Sequence, residues 1–419
     1  MDVMVERCAG LDVHSMRVVA CALWSLAGGR TGKAKAEFAT TAAGLTELVA
    51  WLRGQGVTAV GMESTGVYWM PVYAALERAG GFDLTVANAR HIKAVPGRKT
   101  DMNDAEWLAR LTRYGLMRKS FVPPKPIRDL RDLTRYRRSL VEAQGSERRR
   151  LIKLLEAADL KLSGVLSDVF GVSGRAILRA IIAGGQTAAA MAKLARGHAR
   201  KKWPQLIDAL ALAAELEPHR RQLLAMQLAR VEAAEADIAA LDAEIDARLA
   251  PYAEQLALLA SIPGIDRVVA ATIIAEVGVD MAQFPTAAQL AAWAGVCPGN
   301  NESAGKRKPA RARKGNTYLK TALCNAAVAA SHKRGSFFKA KYNKLKIRRG
   351  GGRAALALGH KLLVVAYHLL KSGQPYSELG EHYHDQRNTE RSARRYVHRL
   401  QNLGFTVTIA PAQDAAHAL

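Results

Sequence analysis

The chain has 419 residues, with 61 Lys and Arg against 37 Asp and Glu and a formal net charge of +24. Its length implies two or three domains, and a basic excess spread from residue 90 onward points to a partner with a phosphate backbone. Four cysteines without a CxxC pair exclude a zinc ribbon or disulfide framework, and no leader or uncharged apolar run of about 18 residues is read, so a soluble cytoplasmic protein is expected.

Short apolar runs at 7–13 (RCAGLDV) and 17–24 (RVVACALW), with a third near Ala34 to Ala39 after a Gly/Lys loop, predict an antiparallel meander. Thr41 caps a predicted helix reaching Gln55. Val57 to Met62 reads as a strand ending at Glu63, Val67 to Arg78 as a helix, and Leu84 to Ala87 as a strand. Three strands followed by alternating helix and strand predict an α/β layer fold. Asp12 stands inside the first strand, where a lone acid needs a partner, and Glu63 closes the fourth.

The stretch PGRKTDMNDAEWLARL, Pro96 to Leu111, places Asp101 and Asp104 three residues apart at the start of a predicted amphipathic helix, so both share one face. Paired acids just after Arg98 and Lys99 suit a hard divalent metal, Mg²⁺, held beside a polyanion. Two readings stay open, because acids in a first turn also favour the helix dipole and Asp101 can serve as a cap. With Asp12 and Glu63, four acids from distant segments can meet at one sheet edge.

Residues Lys125 to about Leu162 turn helical with a dense arginine face that includes Arg148, Arg149 and Arg150. A second long helix is predicted from Glu215 to Leu249. Leu224, Val231, Ile238 and Ile245 recur every seven residues, with Ala234 and Leu241 as companions, which predicts a coiled-coil seam of three to four heptads. The seam is expected to dimerise the chain, the alternative being that the two long helices pack within one chain. Ser163 to Pro204 reads as shorter helices and turns.

From Leu256, the run LLASIPGIDRVVAATIIAEVG reads as two helices about a turn at Pro263 and Gly264. It is either a helix-hairpin-helix offering backbone amides to a phosphate or two core helices with an ordinary turn. A helix over Ala287 to Gly295 precedes VCPGNNESAGKRKPARARKGNTYLKTAL, a polar basic loop with Ser303 between Glu302 and Lys306, ending in Lys314, Gly315 and Asn316. Such a loop can lay a phosphodiester beside a hydroxyl. Helices at Tyr318 to Lys333 and Gly352 to Lys371 flank a basic stretch, Lys339 to Arg353, and a basic helix follows Pro375 through Leu400. The residues from Pro411 are expected to be disordered.

With GLDVH, GMESTG, KTDMNDAEWLA, SIPGI and GNNESAGKRK followed by KGNTYLKTAL, in that order across residues 7–372, the chain resembles the DEDD transposases of the IS-one-ten and IS-eleven-eleven insertion sequences. The resemblance implies an α/β plus α architecture. Residues 1–122 would be an RNase H-like, RuvC-like domain with catalytic, metal-binding Asp12, Glu63, Asp101 and Asp104, and 123–250 a coiled-coil region. Residues 251–375 would be a mostly helical transposase domain with Ser303 as nucleophile, and 376–419 a basic tail. It further implies a bacterial recombinase guided by a structured bridge RNA that pairs with donor and target DNA, exchanging strands through a phosphoserine link as a dimer or tetramer.

Nucleic-acid contacts are expected at Arg98, Lys99, Arg148, Arg149, Arg150, Gly264, Lys306, Lys314 and Asn316. Many relatives carry glycine directly after the serine, whereas Ala304 intervenes here before Gly305; Ser261, in SIPGI, is the alternative hydroxyl. Two other functions stay open: a two-metal junction nuclease in which water attacks, and an RNA-binding structural protein. No GxxxxGK[ST] loop is present, in keeping with strand exchange that needs no nucleotide cofactor.

Overall fold

Apolar alternation in the first hundred residues builds five strands: β1 (Arg7–Val13), β2 (Arg17–Ser25), β3 (Thr31–Ala39), β4 (Ala59–Glu63) and β5 (Asp83–Ala87). They form one sheet in the order β3-β2-β1-β4-β5 in the computed structural model. β1, β2 and β3 pair antiparallel, whereas β4 runs parallel to β1 and β5 parallel to β4. The residues described are 2–64, 66–96, 103–297, 302, 303, 305–307, 312, 314–386 and 389–409. The chain divides into two units, Met1–Val122 and Pro123–Leu419.

In the first unit, α1 (Ala42–Gly54) and α2 (Trp69–Ala79) cover one face of the sheet, and α3 (Ala89–Ala94) and α4 (Asp104–Arg113) follow β5. Leu48 and Leu52 of α1 and Val72 and Leu76 of α2 meet Ala9, Leu11, Val60 and Met62 in one buried cluster. The opposite face takes α4, whose Ala105 and Ala109 pack with Cys8, Cys21, Leu23 and Ala59. Thr41 caps α1 as expected, its side chain accepting from the Gly44 amide.

Two expectations for this unit change. The Gly/Lys stretch expected as a loop is the first half of β3, where Gly32 lies under the Trp24 ring and Lys33 and Lys35 leave the sheet on one side. Both ammonium groups lie 3.0 Å from Glu106 of α4, which Arg110 also meets at 3.2 Å. Burial alone would raise the Glu106 pKa, yet the hydrogen bonds from Lys35 and Lys33 hold it at about 2. The helix predicted from Asp101 begins instead at Asp104, with Asn103 as its cap, accepting from the Ala105 amide. Asp101, Arg98 and Lys99 lie outside the described residues.

Among its described residues, the regular elements of the second unit are helices apart from one hairpin of two-residue strands. Its helices are α5 (Lys125–Ala157), α6 (Leu162–Val165), α7 (Val172–Ala183), α8 (Ala188–Ala192), α9 (Trp203–Ala209) and α10 (Pro218–Leu249). They continue as α11 (Ala253–Ala260), α12 (Arg267–Val277), α13 (Ala287–Trp293), α14 (Thr317–Ala330), α15 (Phe337–Arg349), α16 (Gly351–Ser372), α17 (Tyr383–Gln386) and α18 (Thr389–Gln401). The hairpin pairs β6 (Glu302–Ser303) with β7 (Lys306–Arg307). The basic stretch Lys339 to Arg353 is thus mostly the helix α15, and residues from Pro411 lie outside the described set. A mixed five-stranded sheet followed by a mostly helical remainder is compatible with an RNase H-like domain and a helical C-terminal region.

The helices α5 and α10 run antiparallel, as the contacts Asp129–Arg248 at 3.7 Å, Glu147–Arg230 at 3.8 Å and Ala157 O with Arg220 at 3.1 Å show. This pairing is the internal packing that the sequence left open as the alternative to a dimer contact. Leu224, Leu228 and Val231 share a buried core with Leu151 and Leu155 of α5 and with α6 to α9, inside one chain. Leu224 is 1 % exposed, Val231 0 % and Ile245 4 %, so these seam positions are covered within the chain, whereas Ala234, Ile238 and Leu241 are half-buried. A heptad records that a helix has an apolar stripe; it does not record which helix covers it.

α16 is long and apolar enough to cross a bilayer, but half of its apolar window is buried, and α11, α13, α14 and α15 pack on it. It is the central helix of a core. For the α5/α10 pair the expected outcome of Leu224→Ala is a loss of about 2–5 kcal/mol in thermal or denaturant unfolding, with no change of mass by light scattering. A halved mass with unchanged melting would restore the dimer reading.

Candidate functional site

The acids of the first unit are positioned by one close approach. Gly10 of β1 has no side chain, and a Cβ there would stand 2.1 Å from the Ala109 amide nitrogen and 2.3 Å from the Ala105 carbonyl oxygen of α4. Gly61 of β4 leaves the same kind of space for Thr112, whose Oγ1 would meet a Cβ at 2.0 Å. α4 therefore lies directly on β1 and β4. The Arg113 carbonyl accepts from the Met4 and Val5 amides, so the helix runs against the direction of β1 and its first residue comes to the strand's carboxyl end.

Leu11 pairs with Met62 in the parallel register, so Asp12 and Glu63 occupy the next positions of two neighbouring strands. Strand side chains alternate, and Leu11 and Met62 belong to the α1/α2 core, which turns Asp12 and Glu63 to the α4 face. Asp104, at the N-terminus of α4, stands at the same end. Three of the four predicted acids thus share one edge of the sheet. Asp12 is 27 % exposed at its side chain, and its Oδ2 lies 3.2 Å from the His14 Nε2. The spacing of two between Asp12 and His14 in GLDVH is the sequence signal for this contact.

Carboxylate oxygens at a strand end and a helix N-terminus are the donor chemistry of a hard divalent cation. Among the described residues no three His, Cys, Asp or Glu side chains are gathered as a ready metal site. Asp101, the fourth acid, lies outside the described residues.

The predicted nucleic-acid contacts of the second unit separate into two sets. Arg148 is held by Glu235 at 2.7 Å and stacks 5.0 Å above the Phe170 ring, so it serves the chain's own packing. Arg149 and Arg150 are exposed, Arg149 bonding Ser146 and Arg150 pairing with Glu147. Asn316 is the cap of α14, accepting from the Leu319 amide, and its Nδ2 donates to Glu276 Oε2 at 2.6 Å. Gly264, at φ +86°, sits against α14, where a Cβ would stand 2.4 Å from the Ala326 carbonyl oxygen. Ile262, Pro263 and Ile265 around it are buried.

The loop expected around Ser303 contains the β6/β7 hairpin, in which Ser303 pairs with Lys306 and Glu302 with Arg307. Lys306 and Lys314 are exposed. The alternative hydroxyl, Ser261, is occupied: its Oγ donates to the Leu258 carbonyl at 2.6 Å and accepts from the Tyr376 amide at 3.1 Å.

Glu276, passed over in the sequence, anchors this unit. It is fully buried on α12, and its carboxylate takes Arg135 through two hydrogen bonds at 2.7 and 2.8 Å, with the Arg131 Nε at 3.3 Å. One acid inside AATIIAEVG is the same signal that singled out Asp12: an acid in an apolar run needs partners. Here the partners are arginines and a cap.

A transposase family model of the DEDD IS110 type matches residues 9–158, and a second, described as transposase IS116/IS110/IS902 family, matches residues 256–343. A "Probable family 20 transposase" of Pseudomonas aeruginosa is 29 % identical over 236 residues, which cover 56 % of this chain and 60 % of that protein.

Because α4 rests on a missing side chain, Gly10→Ala should force the helix outward. The expected cost is about 1–3 kcal/mol in unfolding of the first unit, together with loss of any metal-dependent reaction that uses Asp104. A variant that keeps the parent's melting point and activity would show that α4 tolerates displacement.

Proposed function

The chain belongs to the IS110 family of DEDD transposases, and on that premise we propose that it is a DNA transposase that cuts and exchanges strands between a donor and a target duplex. The observation that carries the reading is the placement of Asp12, Glu63 and Asp104 at one edge of the sheet. In this reading 1–122 is the RuvC-like catalytic domain, 123–250 a helical nucleic-acid-binding region, 251–375 the transposase domain with the serine, and 376–419 a basic tail.

Asp12, Glu63, Asp101 and Asp104 would hold a hard divalent cation, Mg²⁺, which when bound supplies charge neutralisation at the scissile phosphodiester. The Ser303 Oγ attacks phosphorus and loses its proton to solvent; the P–O3′ bond breaks and the 3′ oxygen leaves as a hydroxyl. A phosphoserine ester then holds the 5′ end. Attack by the 3′ hydroxyl of the other duplex releases Ser303 and rejoins the strand. One ester is exchanged for another at each step, so no nucleotide cofactor is consumed. Lys306 and Lys314, exposed near the serine in sequence, offset phosphate charge.

Target choice in this reading comes from a structured bridge RNA paired with both duplexes, and the net charge of +24 together with exposed Arg149 and Arg150 supports a polyanionic partner of that size. The active form is a homo-oligomer on DNA. The family's DNA-acting role fits a bacterial cytoplasmic setting.

Asp12→Asn, Glu63→Gln, Asp101→Asn and Asp104→Asn should each lower strand exchange by roughly a hundredfold or more while nucleic-acid binding persists. Ser303→Ala should abolish both exchange and the covalent protein–DNA adduct that survives denaturant, because no oxygen remains to attack. These assays call for the full chain with its copurified RNA. Brisk metal-dependent cleavage by Ser303→Ala, with free 5′ phosphates and no adduct in the parent, would make the protein a junction nuclease instead.

A further inference from the structure

Where the second family match ends, at residue 343 within α15, the chain continues as a helical hairpin of α15 and α16 joined through Gly350. Its first turn is fixed by aromatic packing: Phe337 and Phe338 are buried, Phe338 stacks on Tyr376 at 5.5 Å and Phe337 meets Tyr383 edge-on at 5.5 Å. From there α15 carries Lys339, Lys341, Lys344, Lys346, Arg348 and Arg349 in thirteen residues and no acid.

Lys341, Lys344 and Arg348 stand at i, i+3 and i+7, on one face. Across the hairpin α16 adds Lys361. Lys341 and Lys361 are half-buried, and none of these four cations has a carboxylate partner among the described residues. Glu378, the acid that reaches α15, is spent on the Phe337 and Gly380 amides and the Tyr376 hydroxyl. Burial lowers the Lys341 pKa, and repulsion from Lys361 and Lys344 lowers it further. Burial likewise lowers the His360 pKa, with Lys361 and Lys341 adding to it. Half-buried like charges without a counterion cost stability, and a fold retains them most simply where an external anion completes them.

The cluster also has a link to the candidate reaction. His360 Nδ1 lies 3.5 Å from Cys297 Sγ, and Cys297 is the last described residue before β6 with its Ser303. The stripe from Lys341 to Arg348 spans about 10 Å of helix, long enough for more than one phosphate of a strand.

We propose that Lys341, Lys344 and Arg348 of α15, with Lys361 of α16, form a binding face for the phosphodiester backbone of duplex DNA. The inference rests on the transposase reading and adds to it a surface that the acids and the serine do not supply. The face reads no bases: lysines at these positions neutralise phosphates and set where the duplex lies.

The test measures binding of a labelled DNA duplex to the full chain across a salt titration. Converting Lys341, Lys344 and Lys361 together to Gln should lower the log–log salt slope by about 2–3 and weaken binding by on the order of tenfold or more, at roughly 0.9 slope units per lost contact. Arginine at the same three positions should keep the slope. A control that removes three exposed charges elsewhere, Lys153→Gln with Lys193→Gln and Lys201→Gln, should leave it nearly unchanged. The glutamine variant should melt no lower than the parent, since it relieves repulsion. An unmoved slope, an equal effect of the control, or loss of affinity for RNA with DNA binding intact would each overturn the proposal while leaving the transposase reading standing. A parent chain that binds no duplex would overturn both.

Discussion

The placement of the acids depends on how near a helix can come to a sheet. Gly10 and Gly61 remove the side chains that would hold α4 away, and Ala105 and Ala109 offer the smallest surface in return. With the helix that close and antiparallel to β1, its N-terminus falls beside the carboxyl ends of β1 and β4. Lys33 and Lys35 then tie Glu106 to the sheet's far strand and limit rotation of α4 about its own axis. Packing, not the chemistry of the acids, decides where they meet.

The second unit uses a different device for the same purpose. Glu276 gathers Arg131, Arg135 and Asn316, so that one carboxylate joins α5, α12 and the cap of α14. Each arginine neutralises part of a charge that would otherwise be costly to bury. Arg135 also lies 4.5 Å from the Tyr318 ring centre, which places the start of α14 against α5. The start of the helix after the β6/β7 stretch is therefore set from within the chain.

Much of the first unit could be read in the sequence because strand period and caps are local. Thr41, the runs ending in Val13 and Glu63, and the acid inside GLDVH led directly to elements that the structure contains. What could not be read depended on distant partners. Lys33 looks like a loop residue until β3 is seen to begin at Thr31 and Glu106 is placed beside it. The repeat at Leu224, Val231 and Ile245 was legible as a stripe, but its cover comes from α5 and the short helices between, more than sixty residues earlier in part. Asn316 illustrates the same limit, since a polar residue beside lysines suggests phosphate and its actual bonds are to Leu319 and Glu276. The functional weight of Ser303 came from resemblance; no feature of its local spacing distinguishes it from an ordinary loop serine.

The α5/α10 pair has an unusual midsection. Between the apolar core near Leu224 and the Glu276 junction, the two helices meet largely through Arg137 with Asp242, Arg148 with Glu235 and Arg230 with Glu147. Such a joint is a spacer whose length can change without redesigning a core. Removing seven residues from each helix in this region would keep the facing register and draw the α6–α9 bundle about 10 Å toward α12. Reach along this strut is thus a quantity that related chains can vary in whole steps, and the distance the bundle spans is set by counting turns.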